Sequence, residues 1–326
     1  MRPDSAAAPV AVLGECVADA FVTPGTSTGT PSLGLDVHPG GGPANTAVAL
    51  ARLGTPTRFL GRLAQDVFGR LFREHLAASG ADLSATVPAA EPSTLAVADL
   101  AADGSAAYSF HAQGTADWQW NAGELEQATA APFSCLHTGS LALVREPGAS
   151  AVEALLPRVR ERATVSIDPN VRPLLVEPAV YRERLPRWCA AADVLRLSDE
   201  DLHHLCPGSS LEEAAEVFHG HGTRLVVVTL GGDGVWASLD GKPLQVAAPP
   251  VEVVDTVGAG DSFMAGFLHA LHSRGALGGR LDALSAGEVE AALRYGARVA
   301  AAVCAVRGAN PPWAETLRDG TETAGR

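Results

Sequence analysis

The residues best suited to chemistry lie in DTVGAGDSFMAGFLHAL, residues 255–271. Gly258, Ala259 and Gly260 are small and stand just before a stretch in which Phe263, Phe267, Leu268 and Leu271 recur at helical spacing. Their amides can therefore converge on an anion at the positive end of a helix. A phosphoryl group passing between two oxygens is such an anion, and oriented amides stabilise it without reorganising. Asp261 stands beside them. A carboxylate repels phosphate, so its useful role there is to accept the proton of an attacking hydroxyl. An aspartate at a helix start also serves as a plain cap, and glycines as a plain turn. A short G-x-G-D does not by itself separate the two readings.

The elements that must position this loop read as α/β. VAVLGE (10–15) is an apolar first strand, VADAFVTP (17–24) alternates toward a Pro-Gly turn, and residues 25–39, rich in Thr, Ser, Gly and Pro, read as a loop. PANTAVALARLG (43–54) has Pro near a helix start and Gly54 at its end. TRFLGRLA (57–64) reads as one strand, 67–80 as an amphipathic helix, and 94–114 as two alternating runs joined at Asp103-Gly104, a hairpin signal. From about residue 133, short apolar runs alternate with helical stretches, which predicts a parallel sheet with right-handed crossovers and functional loops after strand C-termini. VWASLDG and PLQVAAPP add an antiparallel pair, helices follow over 262–275 and 289–308, and 315–326 reads as a disordered tail. The expectation is one domain over 1–326. It has a doubly wound, mainly parallel sheet flanked by helices, and a small β lid inserted from about 15–37 and 92–114.

Composition agrees with that class and narrows the partners. With 326 residues, 47% hydrophobic and only 5% aromatic, the chain can bury a large core of parallel strands against small-residue helices. A net charge of -13 argues against holding a nucleic-acid backbone, which needs clustered Lys and Arg. Local amides can still hold a small anion. Five scattered cysteines without a C-x-x-C pair read as thiols in a reducing compartment. The N-terminus does not resemble a cleaved leader, and no apolar run approaches the ~18 residues of a membrane span. The reading is a cytoplasmic protein without a membrane partner.

A longer match decides between cap and base. DTVGAGDSF (255–263) resembles, almost letter for letter, the C-terminal signature of ribokinase-like (PfkB-type) carbohydrate kinases, and GGGPANTAVALARLG (40–54) resembles their N-terminal signature. The resemblance runs from about residue 9 to 313. It implies an ATP-dependent sugar kinase in which Asp261 is the base and Gly258, Ala259 and Gly260 hold the phosphoryl group. On the sugar side it implies Gly41 and Gly42 for close backbone approach, Asn45 for the sugar hydroxyls, Asp19 from the first lid strand and Phe110 from the second lid hairpin. DPNVR (168–172) resembles a D-x-N-x-R pattern of the fructokinase and ketodeoxygluconate kinase branches, so Arg172 either pairs with a phosphate or sugar oxygen or pins its loop to Asp168.

On the ATP side the resemblance assigns TLGGDG (229–234), with Thr229, Gly231 and Gly234, together with Gly260 and with Asn310 in RGANPP (307–312). LSDED (197–201) stands where the family has N-x-x-E, with Ser198 on the nucleotide and the shorter Asp201 reaching Mg2+ through water. Carbonyls of Asp255, Val257 and the 303–312 region are implied to hold K+. SDED, DPNVR and YSFHAQGTADW (108–118) look most like the fructokinase branch, with fructose 6-phosphate as product. Alternatives are a 2-keto-3-deoxygluconate kinase, a ribokinase (although Pro43 departs from the ribokinase pattern), an adenosine-type kinase, and a sugar or nucleotide sensor without turnover. The resemblance also implies a homodimer joined through the lids.

Competing motifs are weaker. The only Gly-Lys is followed by Pro243, so there is no P-loop, and no G-x-G-x-x-G follows the first strand. His203, His204, Cys206, His219 and His221 match no usual zinc spacing, and Ser262 lacks a G-x-S-x-G elbow.

Overall fold

A computed structural model describes residues 8–24, 31–100 and 106–319. Its centre is an eight-stranded sheet built around β1 (Val10–Leu13). β1 alternates between two cores: Val10 and Val12 face one, Ala11 and Leu13 the other, and all four are fully buried. A strand with no solvent face must be apolar throughout, which is why VAVL carries no polar residue.

From β1 the chain leaves the sheet as β2 (Val17–Pro24) and β3 (Leu33–Gly40), then returns through α1 (Gly42–Arg52) to β4 (Thr57–Leu60), which pairs parallel to β1. TRFLGRLA is two strands rather than one. β4 ends at Leu60, and after Gly61 β5 (Arg62–Ala64) turns away. After α2 (Val67–Ala78) it meets β6 (Val87–Ala89) in a two-stranded sheet. The buried Arg62 causes the turn: its guanidinium binds Glu91 at 2.9 Å and Glu124, partners that lie off the main sheet.

A second sheet of four strands, ordered β3-β2-β7-β8, is completed by β7 (Thr94–Leu100) and β8 (Ala106–His111). Residues 33–39, expected in a loop, lie in strand β3. Glycines and prolines lower strand propensity, but eight cross-strand partners on β2 override it. β7 and β8 pair antiparallel, and the turn expected at Asp103-Gly104 lies outside the described residues.

The second half winds on the other side of β1. α3 (Ala122–Ala128), β9 (Cys135–Gly139), α4 (Gly148–Arg160), β10 (Thr164–Asp168), α5 (Pro178–Ala191), β11 (Val194–Ser198), α6 (Asp199–Leu205), α7 (Leu211–His221) and β12 (Leu225–Thr229) follow in order. β9 to β12 are parallel, and β13 (Val235–Leu239) and β14 (Lys242–Val246) add the antiparallel edge. α8 (Ala259–Ser273) and α9 (Ala286–Cys304) cross back to pack beside α1, while α4, α5 and α7 cover the opposite face. The fold is the doubly wound α/β class, with helices on both faces of a mostly parallel sheet.

Several boundaries differ from expectation, α9 running over 286–304 rather than 289–308 among them. α8 begins at Ala259 rather than residue 262, so Gly260 and Asp261 lie in its first turn. The tail expected to be disordered from 315 starts with α10 (Ala314–Asp319), and its remainder lies outside the described residues. No described helix is long and apolar enough to cross a membrane.

Candidate active site

The site forms where the C-terminal ends of the parallel strands meet the N-termini of α1 and α8. Gly258, in the left-handed conformation (φ 76°), caps α8 and turns the chain so that the helix start faces the sheet. The Ala259 amide donates to the Thr256 carbonyl at 3.2 Å. Gly258, Gly260 and Asp261 have amides without an acceptor among the described residues. The donors available to an anion are thus 258, 260 and 261, a shift of one residue from the 258–260 set expected before the helix start was known.

Asp261 is held from α1. The Asn45 side-chain amide donates to its Oδ2 at 2.9 Å, and the Thr46 hydroxyl donates to its backbone carbonyl at 3.4 Å. Gly42 explains how α1 comes so near: a methyl group there would lie 2.8 Å from Asn170 Nδ2 and 3.2 Å from Asp261 Oδ1. Gly41 (φ 100°) supplies the preceding turn, and a side chain on it would strike the Glu15 carbonyl at 2.6 Å. Burial raises the Asp261 pKa, opposed by the Asn45 hydrogen bond and by the charges of Arg172 and Arg196. A carboxylate tuned upward in this way is a better proton acceptor than an ordinary one.

On the four-stranded sheet, Asp19 lies over Gly40, whose missing side chain would otherwise sit 2.0 Å from Asp19 Oδ2. Burial pushes its pKa up to about 6, against the lowering influence of His38 and Arg172, with Asp261 adding to the rise. Asp19 and Phe110 share one face of that sheet, because Asp19 is opposite Ala96 and Ala96 opposite Phe110. Phe110 is exposed and stacks on Tyr108, their ring centroids 5.8 Å apart. Arg172 reaches the same region, where its charge acts on Asp19, Asp261 and Glu15. It does not pin its loop to Asp168. That carboxylate belongs to Arg196, at 2.7 Å.

Behind the Gly260 amide opens a cavity of about 530 Å³, lined by Arg196, Thr229, Gly231, Gly234, Thr256 and Gly260 among others. Its volume and mainly apolar walls suit a nucleotide-sized ligand. Gly234 (φ 99°) is required where β13 begins, since a side chain would meet the Val246 carbonyl at 2.1 Å. Two residues expected on the nucleotide have other work. Asn310 Oδ1 accepts from Arg52 Nη1 at 2.7 Å, which ties the 310–313 segment to α1. Ser198 caps α6, exchanging hydrogen bonds with Asp201 in a capping box.

Asp201 is likewise engaged. Its Oδ1 accepts from the Val171 amide at 2.7 Å, and its Oδ2 from the Ser198 amide and hydroxyl at 2.9 and 2.7 Å. That donor set does not suit direct coordination of a divalent cation, and no cluster of three metal-ligating side chains occurs among the described residues. Asp255 spends its carboxylate on the Val257 and Gly308 amides, at 3.1 and 2.8 Å, which joins the 255–257 turn to the segment after α9.

Arg196 and Asp168 were the unexpected pair. A charged residue inside VLRLS, a strand otherwise apolar and buried, was the available signal, since a buried charge needs a partner.

A helix start with free amides, a raised carboxylate beside it and a nucleotide-sized cavity behind define a phosphotransferase acting on a hydroxyl. Residues 8–317 match the pfkB family carbohydrate kinases, and the chain belongs to that family. It is an ATP-dependent sugar kinase. The chain is 36% identical over 239 residues to a fructokinase of Rhizobium leguminosarum bv. trifolii, covering 73% of each chain. Among solved structures it is similar to the fructokinase of Xylella fastidiosa with bound ATP (TM-score 0.85, 26% identity, 97% of this chain and 99% of the other). It also resembles the Vibrio cholerae O395 fructokinase with fructose, ADP and calcium ion bound (TM-score 0.78, 27% identity, 93% and 95%).

Proposed function

We propose that the chain transfers the γ-phosphoryl group of ATP to the 6-hydroxyl of fructose. The observation that carries this reading is the junction of Asn45, Gly42 and Asp261, where the Asn45 amide lies 2.9 Å from the Asp261 carboxylate. A sugar seated between that junction and Asp19 on the lid presents a hydroxyl to Asp261. ATP in the cavity places its γ-phosphate at the amides of Gly258, Gly260 and Asp261. The sugar oxygen then attacks phosphorus, its proton passes to Asp261, and the electron pair of the broken bond stays on ADP. Closure of the lid excludes the water that would compete as acceptor. The fructokinase relatives, one of them with fructose bound, support fructose over other sugars.

Mg2+ enters with ATP as part of the substrate, held by phosphate oxygens and water, because Asp201 is committed to protein donors. Carbonyls of the 255–257 turn, fixed by Asp255, are proposed to hold K+. A homodimer and a cytoplasmic setting complete the proposal. The lid face turned away from Asp19 exposes Leu33 and Leu35, and all five cysteines are free thiols. Release of ADP measured with fructose, ribose, ketodeoxygluconate, tagatose phosphate and adenosine tests the assignment. The expected result is the highest kcat/KM for fructose. ATP binding without consumption on any acceptor would instead indicate a sensor.

A further inference from the structure

Among the described residues Arg196 is the one strong cation in the cavity wall, and its surroundings are unusual for a buried arginine. Its side chain is 6% exposed. Nη1 donates to Asp168 Oδ2 at 2.7 Å and Nη2 to the Thr229 hydroxyl at 2.6 Å, while the buried Nε has no partner among the described residues. The guanidinium lies directly against the first turn of α8. A methyl group on Gly260 would be 2.8 Å from Nη2 and 2.9 Å from Nη1, so the glycine is what admits it. Burial alone would lower its pKa, and the carboxylates of Asp168, Asp201 and Asp261 outweigh that and raise it.

If structure alone were served, this arrangement would be poor economy. A buried ion pair is often no more stable than apolar packing of the same volume, and an unpaired Nε adds a desolvation penalty. The position makes sense for a group with donors still to give. Arginine offers five N–H donors in a planar fork that matches phosphate oxygens; Nε is enclosed, and the two contacts here leave one N–H on each terminal nitrogen to give.

We propose that Arg196 is a further catalytic residue of the sugar kinase, its guanidinium donating to oxygens of the phosphoryl group as it moves from ATP to the sugar. The inference rests on the proposed placement of ATP in the cavity. During transfer the bond from the γ-phosphorus to the bridging oxygen breaks and its electrons remain on ADP. A bond forms from the sugar oxygen to phosphorus, and the hydroxyl proton goes to Asp261. Arg196 gives up no proton. It offsets charge on the equatorial oxygens, while Asp168 and Thr229 fix its plane before substrate arrives. The Asp168 of DPNVR is thus a positioning residue, acting through Arg196.

The test separates catalysis from bracing. Removing Arg196 alone strands the Asp168 carboxylate, so Arg196→Met is made in an Asp168→Asn background and compared with Asp168→Asn. The expected result is a kcat lower by on the order of 100-fold with the Kd for ADP changed by less than about threefold. Arg196→Lys, which keeps the charge but not the fork, retains intermediate turnover, and millimolar guanidinium partly restores Arg196→Ala. A kcat per folded enzyme within about threefold of the Asp168→Asn control, with only the unfolding midpoint lowered, overturns the proposal. If the unaltered enzyme turns over no sugar, it is the sugar assignment that fails. Binding of a non-hydrolysable ATP analogue relative to ADP then decides the matter for Arg196. Arg196→Lys should lower that ratio by about tenfold, and an unchanged ratio overturns the role.

Discussion

At the scale of single residues, the proposed mechanism divides the work between two aspartates with raised pKa values. Asp19 stands at about 6 because burial outweighs the nearby His38 and Arg172 charges, and Asp261 is raised by burial as well. A raised carboxylate is protonated over a range in which a free aspartate is charged, so the acceptor form is lost as pH falls through the shifted value. KM for the sugar should therefore climb as pH drops through about 6, while the loss attached to Asp261 appears in kcat. Asp19→Asn should raise the sugar KM by about tenfold or more and remove its climb near pH 6 while leaving the acid limb of kcat. Initial rates from pH 5 to 8 on both proteins check this. A KM limb that persists in Asp19→Asn assigns it to another group. Asp261 was legible in the sequence because its neighbours in the chain are its neighbours in the site. Arg196 and Asp168 were not, because the pair spans two strands and exists only once β10 lies beside β11.

At the scale of elements, the candidate site depends on the close packing of α1 and α8 with their neighbours, and glycine sets the approach. Gly42 brings α1 to Asp261, and Gly266 brings α8 to α9: a methyl group there would lie 2.7 Å from Val299 Cγ2 and 2.9 Å from the Gly296 Cα. Gly266→Ala should cost about 1–3 kcal/mol by overpacking, since the nearest obstacles include backbone and cannot swing aside. Urea unfolding reads it, and a change under a few tenths of a kcal/mol would mean that the helices slide apart freely. The amphipathic runs of α2 and α8 and the apolar runs of β1 and β12 were readable from periodicity. β3 was not, because its propensity is poor and its strand state comes from pairing with β2. Nor was the start of α8, where glycines mark a turn but not its last residue.

At the scale of the whole molecule, the proposed sugar and ATP sites meet at the C-terminal ends of the parallel strands, where the alternation of strands and helices leads functional loops to be expected. The second sheet is less self-sufficient. Side chains alternate across it, so the register of Asp19 with His38 puts Leu33, Leu35 and Val37 on the face away from the sugar, and Leu33 is 66% exposed. A dimer that covers this face should be broken by Leu35→Arg, read as monomer mass in sedimentation. A dimer that survives the change joins elsewhere. The central claim remains that Asp261 takes the proton of the sugar hydroxyl, and its most direct test is the steady-state kcat of Asp261→Asn alongside its affinity for ADP. Asparagine keeps the shape and the Asn45 contact but cannot accept the proton, so kcat should fall by about 10²–10⁴-fold with ADP binding unchanged. Turnover that persists at the unaltered rate would contradict the account.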